Sequence, residues 1–314
     1  MSPSTTIPST NVFEIGNYTT TLIKAEPNVC NRNKNRNNSP PKPVLICSPI
    51  EEGVFPVLLF LHGYLLYNSF YSLLLQHIAS HGFIVVAPQL YLIAGSDANG
   101  EIKTTAEITN WLALGLGQVL PPEVKADLGK LGLAGHSRGG KVAFAFALTK
   151  STSLKFSALI GIDPVDGSDV GKQTPPPVLT YVPHSFDLDG TAVLVVGAGL
   201  GEVPRNPLFP PCAPKGVNHK YFYSECCKPA YYCVAKDYGH LDMLDDDTKG
   251  IRGRPTYCVC KNGESRGPMR IFVGGILVAF LKAYLEDDES ELVAIREGYD
   301  EKVPIQLSTF EFQV

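Results

Sequence analysis

Charge is scarce in this 314-residue chain: 18% of its residues are Asp, Glu, Lys or Arg, against about a quarter in an average soluble domain. The formal net charge of −4 gives no reason to expect nucleic acid as a partner. No run of about 18 apolar residues occurs, so no transmembrane segment is expected. An apolar h-region is absent near the start, which argues against secretion. Residues 2–23 hold no Lys or Arg and one acid, Glu14. That is acid-poor like a plastid transit peptide but without its basic character, and an uncleaved, disordered tail fits as well. The eight cysteines form no CxxC pair, so a zinc cage is not expected. Five fall between residues 226 and 260, where a disulfide would need an oxidising compartment. Mostly free thiols are the expectation.

What the chain does have is a core: 44% of it is hydrophobic, enough for one large α/β domain. Residues 1–44 read as a weakly ordered tail, because Asn31–Lys42 is polar, low in complexity and broken by proline. Residues 45–285 read as the catalytic domain and 286–314 as an extension. Val44–Ser48 is an expected strand, with Gly53 and Pro56 marking the turn into another at Val57–Leu61. Phe83–Ala87, Ser157–Ile162, Val193–Val196 and Tyr232–Ala235 read likewise. Between them lie helical patterns over Tyr67–Ser80, with Phe70, Leu73, Leu74 and His77 turned inward, over Ile102–Leu120, and over Met269–Leu285 as the closing helix. Uniformly apolar strands alternating with helices predict a mostly parallel central sheet with helices on both faces.

One stretch organises the rest. Leu131–Ala134 enters Gly135-His136-Ser137-Arg138-Gly139, and a helical segment leaves it. This is G-x-S-x-G in the strand–turn–helix setting of a nucleophile elbow. Flanking glycines permit the tight turn that leaves Ser137 exposed. The Arg138 N–H, in the first turn of a helix, is placed to meet a developing oxyanion. A second donor is expected from the loop after the third strand, His62-Gly63-Tyr64, with the Tyr64 N–H first and Leu65 next.

A serine needs a base, and the base needs an acid to hold its tautomer. In this fold the order is Ser…Asp/Glu…His. His240, in a loop after the last short strand, is the expected base, with His219 the runner-up and His136 read as pointing away from Ser137. Asp163, directly after its strand, is the expected acid. Asp166, three residues on in a turn, and Glu202, after the Val193–Val196 strand, are the alternatives. The acidic run Asp242–Asp247 reads as a solvated loop rather than a cation site.

At this point the chain resembles the plant chlorophyllases, of the α/β-hydrolase fold. The resemblance rests on Gly135-His136-Ser137-Arg138-Gly139-Gly140-Lys141, His62–Tyr71, Ile162-Asp163-Pro164-Val165-Asp166-Gly167, Thr174–Pro177, Asn206–Pro211 and Tyr238–Met243, and covers roughly residues 45 to 285. It implies the triad Ser137, Asp163 and His240 and hydrolysis of the phytyl ester of chlorophyll or pheophytin-type pigments. Magnesium would belong to the substrate, so no cofactor or protein-bound metal is implied. Leu65, Leu66, Tyr67, Phe70 and Tyr71 are the expected pocket walls, with the Pro204–Pro214 loop as a roof. Peripheral contact with a pigment-bearing membrane and a chloroplast location, with the cytosol as alternative, also follow from the resemblance. A broad carboxylesterase or lipase, and a hydrolase-fold protein that binds without turnover, are the competing readings.

Overall fold

Short runs of Val, Ile and Leu bounded by Gly and Pro form the strands of one sheet. The structure, a computed structural model, describes residues 11–27, 38–152 and 154–313. Among these are β1 (Thr20–Ala25), β2 (Val44–Pro49), β3 (Gly53–Leu61), β4 (Ile84–Pro88), β5 (Val124–His136), β6 (Ala158–Ile162), β7 (Ala192–Ala198), β8 (Ala230–Ala235) and β9 (Leu307–Gln313). Their order across the sheet is β1-β2-β4-β3-β5-β6-β7-β8-β9. The six strands from β4 to β8 run parallel, while β1, β2 and β9 pair antiparallel at the margins. Parallel strands must be covered on both faces, and here they are. On one face α1 (Ser72–Ser80) packs against the long α6 (Arg266–Leu285). On the other lie α2 (Asn99–Gly115), α3 (Arg138–Thr149) and α4 (His219–Glu225). This is the mostly parallel, two-faced α/β architecture expected of the α/β-hydrolase fold.

Several elements depart from the sequence reading. Gly53 and Pro56 lie inside β3, not in a turn before it, and the register with β5 shifts at Pro56. Proline cannot donate to the ladder, so a bulge there accommodates it. The helix expected from Tyr67 opens as a 3₁₀ turn over Asn68–Tyr71 and becomes α-helical only at Ser72. That tighter turn rotates the apolar stripe, leaving Leu73 45% exposed while Leu75 and Ile78 are buried. The expectation of a weakly ordered tail fails for residues 11–27. Val12 and Phe13 are buried, and Val12 offers its carbonyl to His77 Nε2 at 2.8 Å. The Asn31–Lys42 reading falls largely outside the described residues. Nor does α6 close the fold, since α7 (Ser290–Lys302) and β9 follow it. Gly267–Leu285 is long and apolar enough to cross a bilayer, but 72% of that window is buried within the molecule.

Candidate active site

β5 runs straight into the elbow. Ser137 has φ 55° and ψ −124°, a strained conformation for a residue with a Cβ, costing about 1–3 kcal/mol. Close packing holds it there: a Cβ on Gly135 would lie 2.2 Å from the Gly139 carbonyl oxygen, and one on Gly139 would lie 2.4 Å from that of Leu61. The serine is less open than its turn suggested, at 6% exposed, and reaches solvent only through a cavity. Arg138 opens α3, so its N–H is one of the orphan donors of a helix start. Its guanidinium pairs with Glu101 at 2.6 Å and lies over Tyr64. In the loop after β3, the Gly63 N–H donates to Tyr71 Oη at 3.0 Å and the Leu65 N–H to Tyr91 Oη at 3.1 Å. The N–H of Tyr64, between them, has no hydrogen-bond partner among the described residues.

The structure brings Ser137, His240 and Asp163 together from the ends of three different segments. His240 Nε2 lies 2.8 Å from Ser137 Oγ, and His240 Nδ1 lies 2.6 Å from Asp163 Oδ2. An ionised carboxylate only accepts, so the imidazole proton sits on Nδ1 and Nε2 is left to accept from the serine. Burial pushes the Asp163 carboxyl up, but the His240 hydrogen bond, with the histidine charges, outweighs it and holds the group below its usual value. The other acids are engaged elsewhere. Asp166 Oδ1 pairs with Lys141 Nζ at 2.7 Å, both side chains fully buried, and its Oδ2 accepts from Gln173 and from the amides of Val178 and Leu179. Glu202 is exposed and accepts from Asn218. His219 bonds Tyr232 Oη and sits 3.8 Å behind Asp163 Oδ1, on the far side from the serine's base.

Tyr71, expected as a pocket wall, and His136, read as pointing away from Ser137, lock these loops together. Tyr71 Oη accepts from Gly63, so its own proton goes to His136 Nδ1, 2.7 Å away. His136 is thereby the Nε2–H tautomer, and that proton bonds the His240 carbonyl at 2.8 Å. The chain Gly63–Tyr71–His136–His240 thus joins the oxyanion loop to the base loop beneath the elbow. Asp242 adds a second tie: its Oδ2 accepts from the Gly239 and Gly263 amides, each at 2.6 Å. The acidic run is therefore not simply a solvated loop, since Asp242 is buried and only Asp246 and Asp247 are exposed. Tyr71→Phe removes both of the phenol's bonds and should lower kcat for ester hydrolysis about 10-fold or more with KM little changed, as misplaced catalytic groups do. Steady-state kinetics of the variant checks this.

Burial also fixes how the fold answers acid. It lowers His62 and His81 from 6.5 to about 4 and His136 to about 3. Between about 4 and 6.5 the unfolded chain binds these protons and the folded chain does not. Stability therefore falls as pH falls through that window, by about 1.4 kcal/mol per pH unit for each ring. Asp245 works the other way, because burial raises it from 3.8 to about 6 and the folded state takes its proton first. Burial lowers His77 and His219 as well and raises Asp242 and Glu286, so five rings against three carboxyls predict a Tm that drops between pH 6.5 and pH 4, measurable by thermal scans across that range.

A cavity of about 450 Å³ opens over Ser137 and His240, within the usual size of small-molecule sites, about 300–1,000 Å³. Of the expected walls, Leu65 and Leu66 line it with Tyr64. Tyr67, Phe70 and Tyr71 do not: Phe70 and Tyr71 are buried in the core, and Tyr67 packs beneath Arg252. The opposite wall comes from Leu241, Ile251, Arg252, Pro255, Thr256, Val259 and Cys260, with Cys212. From the Pro204–Pro214 loop only Cys212 reaches the cavity. A disulfide joins Cys212 to Cys260 in this wall. Among the described residues Cys47, Cys226, Cys227, Cys233 and Cys258 are free, and the bridge has one end outside the 226–260 cluster.

Comparison with known proteins bears on this geometry. A family model described as Chlorophyllase matches residues 8–314. Chlorophyllase-2 of Arabidopsis thaliana is 60% identical over 310 residues, covering 96% of this chain and 98% of that protein. Chlorophyllase-1 of the same plant is 48% identical over 286 residues, 89% of this chain and 86% of the relative. "Chlorophyllase-1, chloroplastic" of Citrus unshiu is 42% identical over 305 residues, 96% and 88%. With a match of this extent, the chain belongs to the chlorophyllase family of carboxylic ester hydrolases.

Proposed function

We propose that this chain hydrolyses the phytyl ester of chlorophyll-type pigments to chlorophyllide and phytol, with Ser137 as nucleophile, His240 as general base and acid, and Asp163 as the group that orients it. The observation that carries the reading is the aligned hydroxyl, imidazole and carboxylate, at 2.8 and 2.6 Å, opening into an apolar cavity in a chain of this family. Ser137 Oγ attacks the propionate carbonyl while Nε2 takes its proton, and Asp163 stabilises the imidazolium. The N–H groups of Arg138 and Tyr64 receive the oxyanion, each donor being worth about 3 kcal/mol of barrier. His240 then protonates the phytol oxygen as the bond to carbon breaks, leaving the chlorophyllide acyl group on Ser137. Water, deprotonated by the same ring, releases the acid and restores the hydroxyl. The chloroplast, with contact at its pigment-bearing membranes, is the proposed place of work, supported by the chloroplastic Citrus relatives.

The test is to incubate the protein with a phytyl pigment ester and with p-nitrophenyl butyrate and to quantify products. Equimolar phytol and de-esterified pigment support the reading. Turnover of the short ester alone would favour the broad carboxylesterase, and turnover of neither would favour a binding protein.

A further inference from the structure

The cavity wall over Ser137 is mostly hydrocarbon. Leu65, Leu66, Leu241, Ile251, Pro255 and Val259 supply hydrocarbon, and Arg252 alone among the lining residues carries a guanidinium or amine. Arg252 lies on the short α5 (Gly250–Gly253), with its guanidinium carbon 4.8 Å from the centre of the Tyr67 ring. Nη2 donates to the Leu92 carbonyl. Nη1 is buried and has no hydrogen-bond partner among the described residues. Lys249 is paired with Asp247 and Arg270 with Asp246; no ion pair of this kind engages Arg252 among the described residues. Its charge also reaches His62, under the oxyanion loop, where it opposes protonation of that ring.

A charged donor held out of water without an acceptor is costly, and a guanidinium is the cation best suited to partial desolvation. Stacked on Tyr67 and bonded to Leu92, this one is kept beside the cavity with Nη1 turned away from its open space. We propose that the Arg252 side chain, which lines the cavity, turns as the pigment enters so that its unpartnered Nη1–H donates to a carbonyl oxygen on the rim of the pigment macrocycle, anchoring the ring while its propionate ester lies at Ser137. This rests on the pigment-ester reading above. Such pigments carry a ketone and a methyl ester on the small fused ring next to the propionate-bearing one. Holding either oxygen at Arg252 decides which of the two esters faces the serine. A plain lipid offers no such oxygen on a rigid frame, so Arg252 sets specificity for the pigment.

The experiment compares wild type with Arg252→Met, which keeps a long apolar stem over Tyr67, on four substrates. These are the magnesium-free phytyl pigment ester, the same pigment lacking its ring ketone, the same pigment lacking its rim methyl ester, and p-nitrophenyl butyrate. The readout is the ratio of kcat/KM on each pigment to that on the short ester. For the parent pigment that ratio should fall about 10- to 100-fold in Arg252→Met, the range of one charge-assisted hydrogen bond. In wild type, one of the two altered pigments should lose a similar factor, which identifies the oxygen, and that pigment should lose nothing further in the variant. An unchanged ratio in the variant, or wild type handling both altered pigments as well as the parent, would overturn the anchor. Wild type that cleaves p-nitrophenyl butyrate but leaves the pigment ester intact would refute the underlying reading, and the anchor with it.

Discussion

Ser137→Ala should lower kcat for ester hydrolysis roughly a millionfold, to the level left by the oxyanion donors and binding alone. Removing the hydroxyl removes the oxygen that lies 2.8 Å from the His240 ring. Stability should hardly move. The backbone strain at φ 55° is the same for alanine as for serine, and the backbone bonds of the elbow, Ser137 N–H to the Ile162 carbonyl and Lys141 N–H to that of Ser137, do not involve the side chain. A Tm within a few degrees of wild type, with activity gone, is the expected pair of results. Activity within tenfold of wild type in a folded variant would remove Ser137 from the mechanism.

The second large effect separates two aspartates three residues apart. Asp163→Asn should lower kcat about 10⁴-fold with little loss of stability. An amide can present a donor to Nδ1 and stabilise the wrong imidazole tautomer, and it no longer stabilises the imidazolium. Asp166→Asn should do the reverse. Lys141 Nζ is fully buried and, once the carboxylate is gone, has only neutral acceptors, the carbonyls of Thr174 and Pro176 and the new amide oxygen. Breaking one side of a buried pair costs about 3–5 kcal/mol, on the order of 10 °C in Tm, while kcat of the folded fraction stays near wild type. Kinetics and thermal scans on both variants read the crossover. A kcat loss following Asp166 instead would move the acid.

Much of this site was legible in the sequence, for a physical reason. A nucleophile elbow is local: glycines, serine, the preceding apolar strand and the following helix sit within fifteen or so residues of one another. The apolar strands were equally plain, because strands buried on both faces have no polar positions to confuse the pattern. Asp163 and Asp166 could not be separated by turn chemistry alone. What separates them is Lys141, which approaches Asp166 from α3 only after folding. The antiparallel margins were missed because β1 and β9 are half-exposed, with mixed burial along their length. Neither shows the continuous hydrophobic run of the central strands.

The far wall of the cavity was missed for a related reason. Ile251, Pro255 and Val259 recur every four residues, but Gly250, Gly253 and Pro255 itself interrupt the helical pattern. Only the tertiary position of that segment, tied to the Cys212 loop by the disulfide, makes them pocket residues. Tyr71 misled in the other direction. Its place after the oxyanion loop suggested a wall, but burial turns its phenol inward to His136. His136, in turn, was set aside because it cannot face the serine. Its contribution runs through the backbone of His240, a contact 104 residues away with no local signature.

The central claim is that Ser137 is made nucleophilic by His240, and covalent trapping reads this directly. Wild type and His240→Ala are treated with a fluorophosphonate ester and digested, and the adducts are located by mass spectrometry over time. One adduct per wild-type chain, on the peptide carrying Ser137, with labelling of His240→Ala slowed by several orders of magnitude, is the predicted result. An adduct on another residue, or equal labelling rates in the two proteins, would contradict it.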